Sequence, residues 1–264
     1  MKKNLAAAYR IMVGFGFDPL KFYRSLCGIK GYLCDLRLLK NQEITSVRKF
    51  TFGKFSPQLG DRFSESGEAK GHYFHQDLLV ARRINVNNPI VHVDLGSRVD
   101  GFVAHVASFR PIMVIDIRPF LSKVKNITFM QVDMMGVLPS NLFDYCDSLS
   151  CLHALEHFGL GRYGDPVNYD GYLLGLDNLY SILRKNGKLY FSTPIGPQRI
   201  EFNAHRVFSV GYLLECFEGK YIVDRFSFVD DEGDLFENVE LTKSKIDNNF
   251  GCQYGCGIFE MTKL

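Results

Sequence analysis

The sequence predicts an α/β fold, in which a doubly wound, mostly parallel sheet of seven strands follows a helical N-terminal extension. Short apolar runs alternate with segments of helical periodicity from about residue 72 onward. Two of these runs end in an acid, at Asp94 and Asp116, and a glycine turn follows the first. Hydrophobic residues make up 46% of the 264 residues and charged residues 23%, as in ordinary soluble globular proteins.

The N-terminal part of the chain, residues 1–70, is predicted to be a basic extension ahead of a domain over 71–264. It is helical to about residue 45 and loop-rich from 50 to 70. Residues 1–50 carry 10 Lys or Arg against 3 Asp or Glu. Such a segment can make peripheral contact with an anionic membrane or an acidic partner, and a solvated basic arm is the alternative.

The cysteines and the apolar runs indicate in which cellular compartment the protein is expected. Seven scattered cysteines form no disulfide framework, and no apolar run is long enough to span a membrane. Cys252 and Cys256 form a lone Cys-x3-Cys pair, with no second pair to complete a zinc site. We therefore expect a cytoplasmic protein and no bound metal.

The elements of the main domain follow from their periodicity. The clearest helix carries apolar residues at three- and four-residue steps, and Lys185-Asn186-Gly187 predicts its end. The predicted strands are 90–95, 112–116, 127–132, 144–151, 187–193, 220–229 and 254–262. The predicted helices are about 74–85, 100–108, 168–184 and 208–217.

The glycine turn indicates a ligand that contains adenosine. Gly96 stands where the first strand ends, and its lack of a side chain lets the backbone approach a ligand. Asp116 follows Asp94 by 22 residues (116 − 94), close to the spacing of an acid that grips ribose hydroxyls. The alternative is that Asp116 only caps a strand. Arg98 stands where a dinucleotide loop has its second glycine, which indicates a ligand without a diphosphate.

Six motifs in order then resemble class I S-adenosylmethionine-dependent methyltransferases, although Arg98 departs from the first motif and its last glycine is displaced by one. The motifs are Asp94 to Gly101, Asp116, Val132-Asp133-Met134, Phe143 to His157, Gly187 to Pro194 and His205 to Ser209. The resemblance implies a Rossmann-like methyltransferase fold and S-adenosylmethionine as cofactor. The cofactor-binding residues that it implies are Asp94, Gly96, Ser97, Gly101, Asp116, Ile117, Asp133, Met134 and His153.

A narrower set of segments is similar to an uncharacterised methyltransferase-like family whose members often accompany surface-polysaccharide genes. The segments are Gly71 to Asp77, Asp94 to Phe102 and His153 to Pro166. This resemblance implies O-methylation of a carbohydrate or another small acceptor in surface-glycan biosynthesis. A nucleic-acid partner is not expected, because no basic patch lines the catalytic half.

The predicted catalytic residues follow the fourth strand, where a doubly wound sheet meets its ligands. His157 is the first candidate for a general base, with His205 second and Glu156 beside them. A histidine that only fixes the loop is the alternative. The glycine-rich loop that follows carries Arg162, Tyr163 and Asp165, which we expect to orient the acceptor.

Two other functions compete with methyl transfer. A methyltransferase-like protein that binds without turnover is favoured by Arg98 and by the displaced glycine. A zinc-dependent hydrolase is suggested by His153, Glu156 and His157, which fit a His-x-x-Glu-His pattern. That pattern needs a stable helix and a third ligand, for which the candidates are His72, His75, Asp77 and His205.

Overall fold

The computed structural model describes residues 8–9, 11–48, 50–67 and 69–264. The chain divides into two compact units, Met1–Glu68 and Ala69–Leu264, and each is described by itself. Four of the basic residues counted in the extension, Lys2, Lys3, Arg10 and Lys49, lie outside the described residues. Within the described residues, no helix is both long and apolar enough to cross a membrane.

The first unit is built on one long helix, α1 (Pro19–Thr45). Asp18 caps it by accepting hydrogen bonds from the backbone N–H groups of Leu20 and Lys21, and Pro19 occupies the first turn, where it costs no hydrogen bond. A Cβ at Gly28 would lie 1.9 Å from the carbonyl oxygen of Leu59. The loop after α1 therefore crosses the helix at a position that only glycine can occupy.

The second unit holds the predicted doubly wound sheet, which has eight strands. The sheet strands are β1 (His92–Leu95), β2 (Ile112–Asp116), β3 (Ile127–Gln131), β4 (Cys146–Leu152), β5 (Leu183–Ile195), β8 (Tyr221–Val229), β9 (Leu235–Phe236) and β10 (Gly255–Lys263). A separate hairpin is formed by β6 (Arg199–Glu201) and β7 (His205–Val207). The helices are α2 (His72–Asn87), α3 (Ala104–Ala107), α4 (Gly171–Ile182), α5 (Val210–Phe217) and α6 (Lys243–Asp247).

The strand order is β3-β2-β1-β4-β5-β10-β8-β9. Strands β1 to β5 are parallel, whereas β10 runs antiparallel to both of its neighbours. All seven predicted strands are present, and the short β9 is the addition. The order reverses at β1, which has β2 on one side and β4 on the other. Ligands of such sheets bind at this reversal, outside the carboxyl ends of the strands.

Two buried apolar clusters cover the two faces of the sheet. In one cluster, Leu79 of α2 and Val106 of α3 pack with strand residues such as Val114 of β2. The other packs α4 and α5 on the opposite face, with Leu179 and Ile115 among its members. Because neighbouring residues of a strand point to opposite faces, a strand covered on both sides is apolar throughout.

The predicted end of the helix over 168–184 was wrong. Helix α4 ends at Ile182, and Leu183 already pairs in β5. Asn186 takes a left-handed conformation (φ 63°) within the strand, where the register with β4 shifts. Lys185-Asn186-Gly187 therefore forms an irregularity in a strand, since a bulge favours the same left-handed residues as a helix cap.

Candidate ligand-binding and catalytic site

The turn after β1 is held in a conformation that requires glycine. Gly96 has a φ of 77°, and a Cβ there would lie 2.7 Å from the Cβ of Ala154, in the loop after β4. Arg98 stands in an ordinary extended conformation, and its side chain is exposed and 2.6 Å from Asp100. Its position therefore does not need glycine, and the departure from the glycine pattern leaves the turn intact.

Asp94 lies beneath this turn and is completely buried. Its carboxylate accepts hydrogen bonds from Ser97 N (3.1 Å), Ser97 Oγ (2.9 Å) and Ser150 Oγ (2.5 Å). Burial raises the pKa of Asp94 to about 7, against the opposing effect of these hydrogen bonds. Asp94 does not line the adjoining cavity. The predicted cofactor contact is thus corrected to a positioning role, because Asp94 orients Ser97 instead.

A buried histidine that sequence reasoning missed extends this network. The Nδ1 atom of His92 lies 2.8 Å from Ser148 Oγ, and its Nε2 atom lies 3.2 Å from Ser150 Oγ. Ser150 gives its proton to Asp94, so Nε2 of His92 must donate to Ser150. Burial lowers the pKa of His92 to about 3, and the ring is therefore neutral.

A cavity opens above the turn. Nine of the predicted residues line it: Gly96, Asp116, Ile117, Asp133, Met134, His153, His157, Tyr163 and Asp165. Ser97, Gly101 and Arg162 line an open groove that adjoins it. Glu156 and His205 line neither. The structure therefore gathers most of the predicted site at the end of the sheet where the strand order reverses.

Asp116, at the end of β2, faces the cavity but is already paired. Its carboxylate accepts hydrogen bonds from the backbone N (2.8 Å), Nε (3.0 Å) and Nη2 (2.6 Å) of Arg118. The Arg118 guanidinium also lies 4.4 Å from the centre of the Tyr163 ring. Sequence reasoning missed Arg118, although the spacing Asp-x-Arg after a strand could have indicated the pair. Any group that binds Asp116 must compete with this arginine.

His153, Glu156 and His157 form one buried group after β4. Glu156 Oε1 lies 2.8 Å from His153 Nδ1 and 3.7 Å from His157 Nε2. Burial opposes ionisation of Glu156, but the two histidines outweigh it and hold the pKa of the carboxyl below its usual value. Burial lowers the pKa of His153 in turn, yet Cys256 and Glu156 together outweigh it and raise that pKa.

The proton on His157 can be placed from its contacts. Nδ1 lies 2.7 Å from the carbonyl oxygen of Ala204, so it carries the proton and donates it there. Burial lowers the pKa of His157, and the neutral ring therefore keeps a lone pair on Nε2. His157 lines the cavity, which gives it the chemistry and the position of a general base.

The His-x-x-Glu-His alternative lacks the helical geometry that it requires. Residues Leu155–His157 form a single 3-10 turn, and His153 has a φ of 49°. The two histidines therefore do not stand one turn apart on an α-helix. Glu156 lies between them and takes one nitrogen of His153, so the two rings do not present their nitrogens to one ion.

The contacts of the remaining predicted residues are as follows. His205 lies on β7, 3.5 Å from Glu201, and stacks near Tyr254 away from the cavity wall. Asp165 accepts hydrogen bonds from the backbone N–H groups of Gly159, Gly161 and Tyr163, and therefore folds the loop. Arg162 donates to the carbonyl oxygen of Ala204. Tyr163 is the loop side chain that closes the cavity.

Comparisons with known proteins place the sequence in a family. Residues 108–253, more than half of the chain, match the family described as "Caenorhabditis protein of unknown function, DUF268". No curated protein matches the sequence.

Solved structures with a similar fold are numerous, and three illustrate them. The N-methyltransferase NodS of Bradyrhizobium japonicum WM9, in complex with S-adenosyl-l-homocysteine, has a TM-score of 0.48 at 10% identity, over 73% of this chain and 88% of that one. The 1,6-didemethyltoxoflavin-N1-methyltransferase of Burkholderia thailandensis has a TM-score of 0.48 at 13% identity, over 71% of this chain and 78% of that one. The [4+2]-cyclase SpnF has a TM-score of 0.49 at 13% identity, over 72% of this chain and 80% of that one. At TM-scores below 0.5 we draw no conclusion from them about activity.

Proposed function

The chain belongs to the family of Caenorhabditis proteins of unknown function, DUF268, and from its own site we propose that it is an S-adenosylmethionine-dependent methyltransferase. One observation carries the proposal. A single cavity joins a glycine turn and two acids at strand ends, Asp116 and Asp133, to the neutral and buried imidazole of His157. The first three groups suit an adenosine, and the fourth suits the removal of a proton from an acceptor.

The residues of the cavity fit this cofactor. Gly96 lines the cavity and carries no side chain that would separate its backbone from a ligand. Asp116 would accept hydrogen bonds from the ribose hydroxyls, and Asp133 from the amino group of adenine, as in the class I methyltransferases that the sequence resembles. Asp133 is held by a hydrogen bond from Met135 N at 2.8 Å. The cofactor supplies an electrophilic methyl group on a sulfonium.

His157 would perform the proton transfer. Its Nε2 atom would take the proton of an acceptor hydroxyl, which would make that oxygen a nucleophile. Glu156, 3.7 Å away, then stabilises the imidazolium, and the carbonyl of Ala204 keeps Nδ1 in place throughout. Glu156 touches neither the cavity nor the acceptor, so it is a positioning residue.

The acceptor that we propose is a carbohydrate or another small molecule that carries a hydroxyl. Tyr163 lines the cavity and Arg162 the adjoining groove, which gives the acceptor an aromatic and a hydrogen-bonding partner. A surface-glycan precursor is the substrate class that the sequence resemblance supports. Peripheral membrane contact through residues 1–50 and the absence of a nucleic-acid partner remain part of the same proposal.

Binding without turnover is the second candidate. The observation that favours it is the pairing of Asp116 with Arg118, which occupies the carboxylate that a ribose would need. The two candidates share a ligand and differ in whether a methyl group leaves it.

The first experiment measures binding of S-adenosylhomocysteine by calorimetry. Asp116→Ala removes charged hydrogen bonds worth about 1.5–3 kcal/mol and should weaken binding about 10- to 100-fold. Asp177→Ala removes a similarly paired acid, 2.7 Å from Lys220 and remote from the cavity, and should bind as the wild type does. If the wild type binds neither the cofactor nor its product, or if both variants lose binding equally, the proposal fails.

The second experiment tests turnover with S-adenosylmethionine labelled at the methyl group and a panel of nucleotide sugars and glycans. His157→Ala should still bind the product but transfer methyl about 10²- to 10⁴-fold more slowly. His105→Ala, at an exposed histidine, is the control. Tight binding with no transfer to any acceptor would favour the second candidate.

A further inference from the structure

A second group of side chains lies beside the cavity and takes no part in the reaction above. His72 begins α2, His153 follows β4, and Cys256 lies on β10. One ligand atom from each lies within 4.8 Å of the others. The rings of His72 and His153 are stacked, with their centres 5.2 Å apart. Three elements far apart in sequence thus bring two imidazoles and a thiol together.

His153 has one buried ring nitrogen that has no hydrogen-bond partner among the described residues. This nitrogen is Nε2, and the side chain is 3% exposed. The other ring nitrogen, Nδ1, is held by Glu156 at 2.8 Å. A buried polar atom without a partner costs about 1–3 kcal/mol, and native structures usually satisfy such atoms with a ligand or water.

We propose that His72, His153 and Cys256 bind a divalent metal ion of the zinc type. Imidazole nitrogen and thiolate sulfur are the ligands that zinc prefers, and the ion would take the place of protons on the thiol and on Nε2 of His153. Tetrahedral coordination separates neighbouring ligand atoms by about 3.5 Å, and three atoms that already lie within 4.8 Å of one another can reach this spacing through small side-chain movements. Three protein ligands leave a fourth position, which water fills on the side of the half-buried His72.

Glu156 supports the site from behind. A metal-ligating histidine commonly donates its other ring nitrogen to a carboxylate, which fixes the ring and its tautomer. Glu156 Oε1 stands in that relation to His153 Nδ1. The proposed ligands therefore differ from those of the His-x-x-Glu-His pattern, since His157 does not bind the ion and Glu156 contacts only a ligand, His153.

The same carboxylate oxygen also lies 3.7 Å from the Nε2 atom of His157. An ion bound to His153 would fix the Glu156 carboxylate, and with it the position of that carboxylate relative to His157, the proposed base. This consequence, unlike the metal site itself, rests on the proposed function.

Cys256 is rigidly placed for this role, and its neighbour offers a matched control. Cys256 pairs with Pro194 in β5 and with Val229 in β8, and it is completely buried. Cys252 is also buried but belongs to no such group among the described residues, and its Sγ atom approaches the carbonyl oxygen of Phe250 at 3.9 Å. Substituting each cysteine in turn therefore distinguishes metal binding at the proposed site from metal binding to any buried thiol.

The experiment titrates Co²⁺ into the metal-free full chain and follows the absorption spectrum. The wild type should bind one equivalent, with the intense charge-transfer band of a thiolate–cobalt bond and visible bands of four-coordination, and Zn²⁺ should abolish both. Cys256→Ser should lose the charge-transfer band, and Cys252→Ser should keep it. A wild type without the band, or a band lost in Cys252→Ser and kept in Cys256→Ser, overturns the proposal.

Two further variants keep the test decisive if Cys256→Ser does not fold. His72→Gln, at a half-buried position, should keep the folded circular dichroism spectrum and lose four-coordination. Glu156→Gln should keep the cobalt spectrum but bind Zn²⁺ about 10- to 100-fold more weakly, as for other carboxylates behind metal-bound histidines. Unchanged binding in His72→Gln would remove His72 from the site and overturn the proposed set.

Calorimetry with S-adenosylhomocysteine, with and without Zn²⁺, separates this proposal from the proposed function. Product binding without metal binding refutes only the metal site. Metal binding without product binding refutes only the methyltransferase.

Discussion

Asp94 and Asp116 end neighbouring parallel strands, yet the structure uses them in opposite ways. Asp94 is sealed under the glycine turn and satisfied by two serines. Asp116 lines the cavity and is held by an arginine two residues further on. The first acid shapes the site from behind, whereas the second can touch a ligand.

The difference teaches that a motif position does not by itself define a role. Both acids follow apolar runs and both fit the same sequence pattern. What separates them is the residue opposite: Ser150 on β4 closes over Asp94, whereas open space faces Asp116. Substitutions at the two positions should therefore affect different properties.

The largest effect is expected on stability. Asp94→Ala leaves the N–H and hydroxyl of Ser97 and the hydroxyl of Ser150 buried without their partner, and should lower the free energy of unfolding by about 3 kcal/mol. Asp116→Ala removes a pair with a partly exposed arginine and should cost less than about 1 kcal/mol. Urea unfolding of both variants checks this, and equal losses would contradict the distinction.

A smaller effect concerns the pH dependence of stability. The pKa of Asp94 is about 7 in the folded protein and 3.8 in its ordinary state, so the folded state binds more protons between these values. Its contribution to stability is therefore complete below pH 3.8 and is lost as the pH rises through about 7. Asp94→Asn cannot titrate, so its unfolding free energy should rise relative to that of the wild type as the pH increases across this window, which urea unfolding of both proteins at several pH values measures. His92, with a pKa of about 3, and Asp77, with a pKa of about 6, titrate in both proteins and so contribute to both curves.

The smallest effect is expected on ligand binding when Arg118, the partner of Asp116, is replaced. Arg118→Gln frees the Asp116 carboxylate from a pair worth up to about 1 kcal/mol, and should tighten binding of S-adenosylhomocysteine by up to about fivefold. Arg82→Gln breaks a comparable surface pair with Glu237, which lines neither the cavity nor the groove, and should leave binding unchanged. Weaker binding in Arg118→Gln would show that the arginine orients the acid for the ligand.

Much of the fold could be predicted because buried strands of a parallel sheet are short apolar runs. All seven predicted strands are found, and so are the helices between them, although α3 covers only Ala104–Ala107 of the predicted 100–108. The end of α4 could not be placed, since Asn186 and Gly187 serve a bulge as well as a helix cap. The two-residue β9 and the hairpin of β6 and β7 are too short to have a period.

The candidate site was predictable only where its residues follow a strand. Asp116, Asp133 and His157 have this signature, and all three line the cavity. His72 and Cys256 do not, because their proximity arises from tertiary packing between α2 and β10. Cys256 looked like an ordinary thiol of a strand, and no local pattern joins it to a histidine so far away in sequence.

Strand β10 lies between β5 and β8 in the sheet, although it follows both in sequence. During synthesis, the two flanking strands therefore leave the ribosome with one edge unpaired each, and such edges readily pair with the wrong chain. Cys256 arrives on the same strand. The insertion of β10 therefore closes the sheet and also brings Cys256 to His72 and His153, the cluster at which we propose a metal ion.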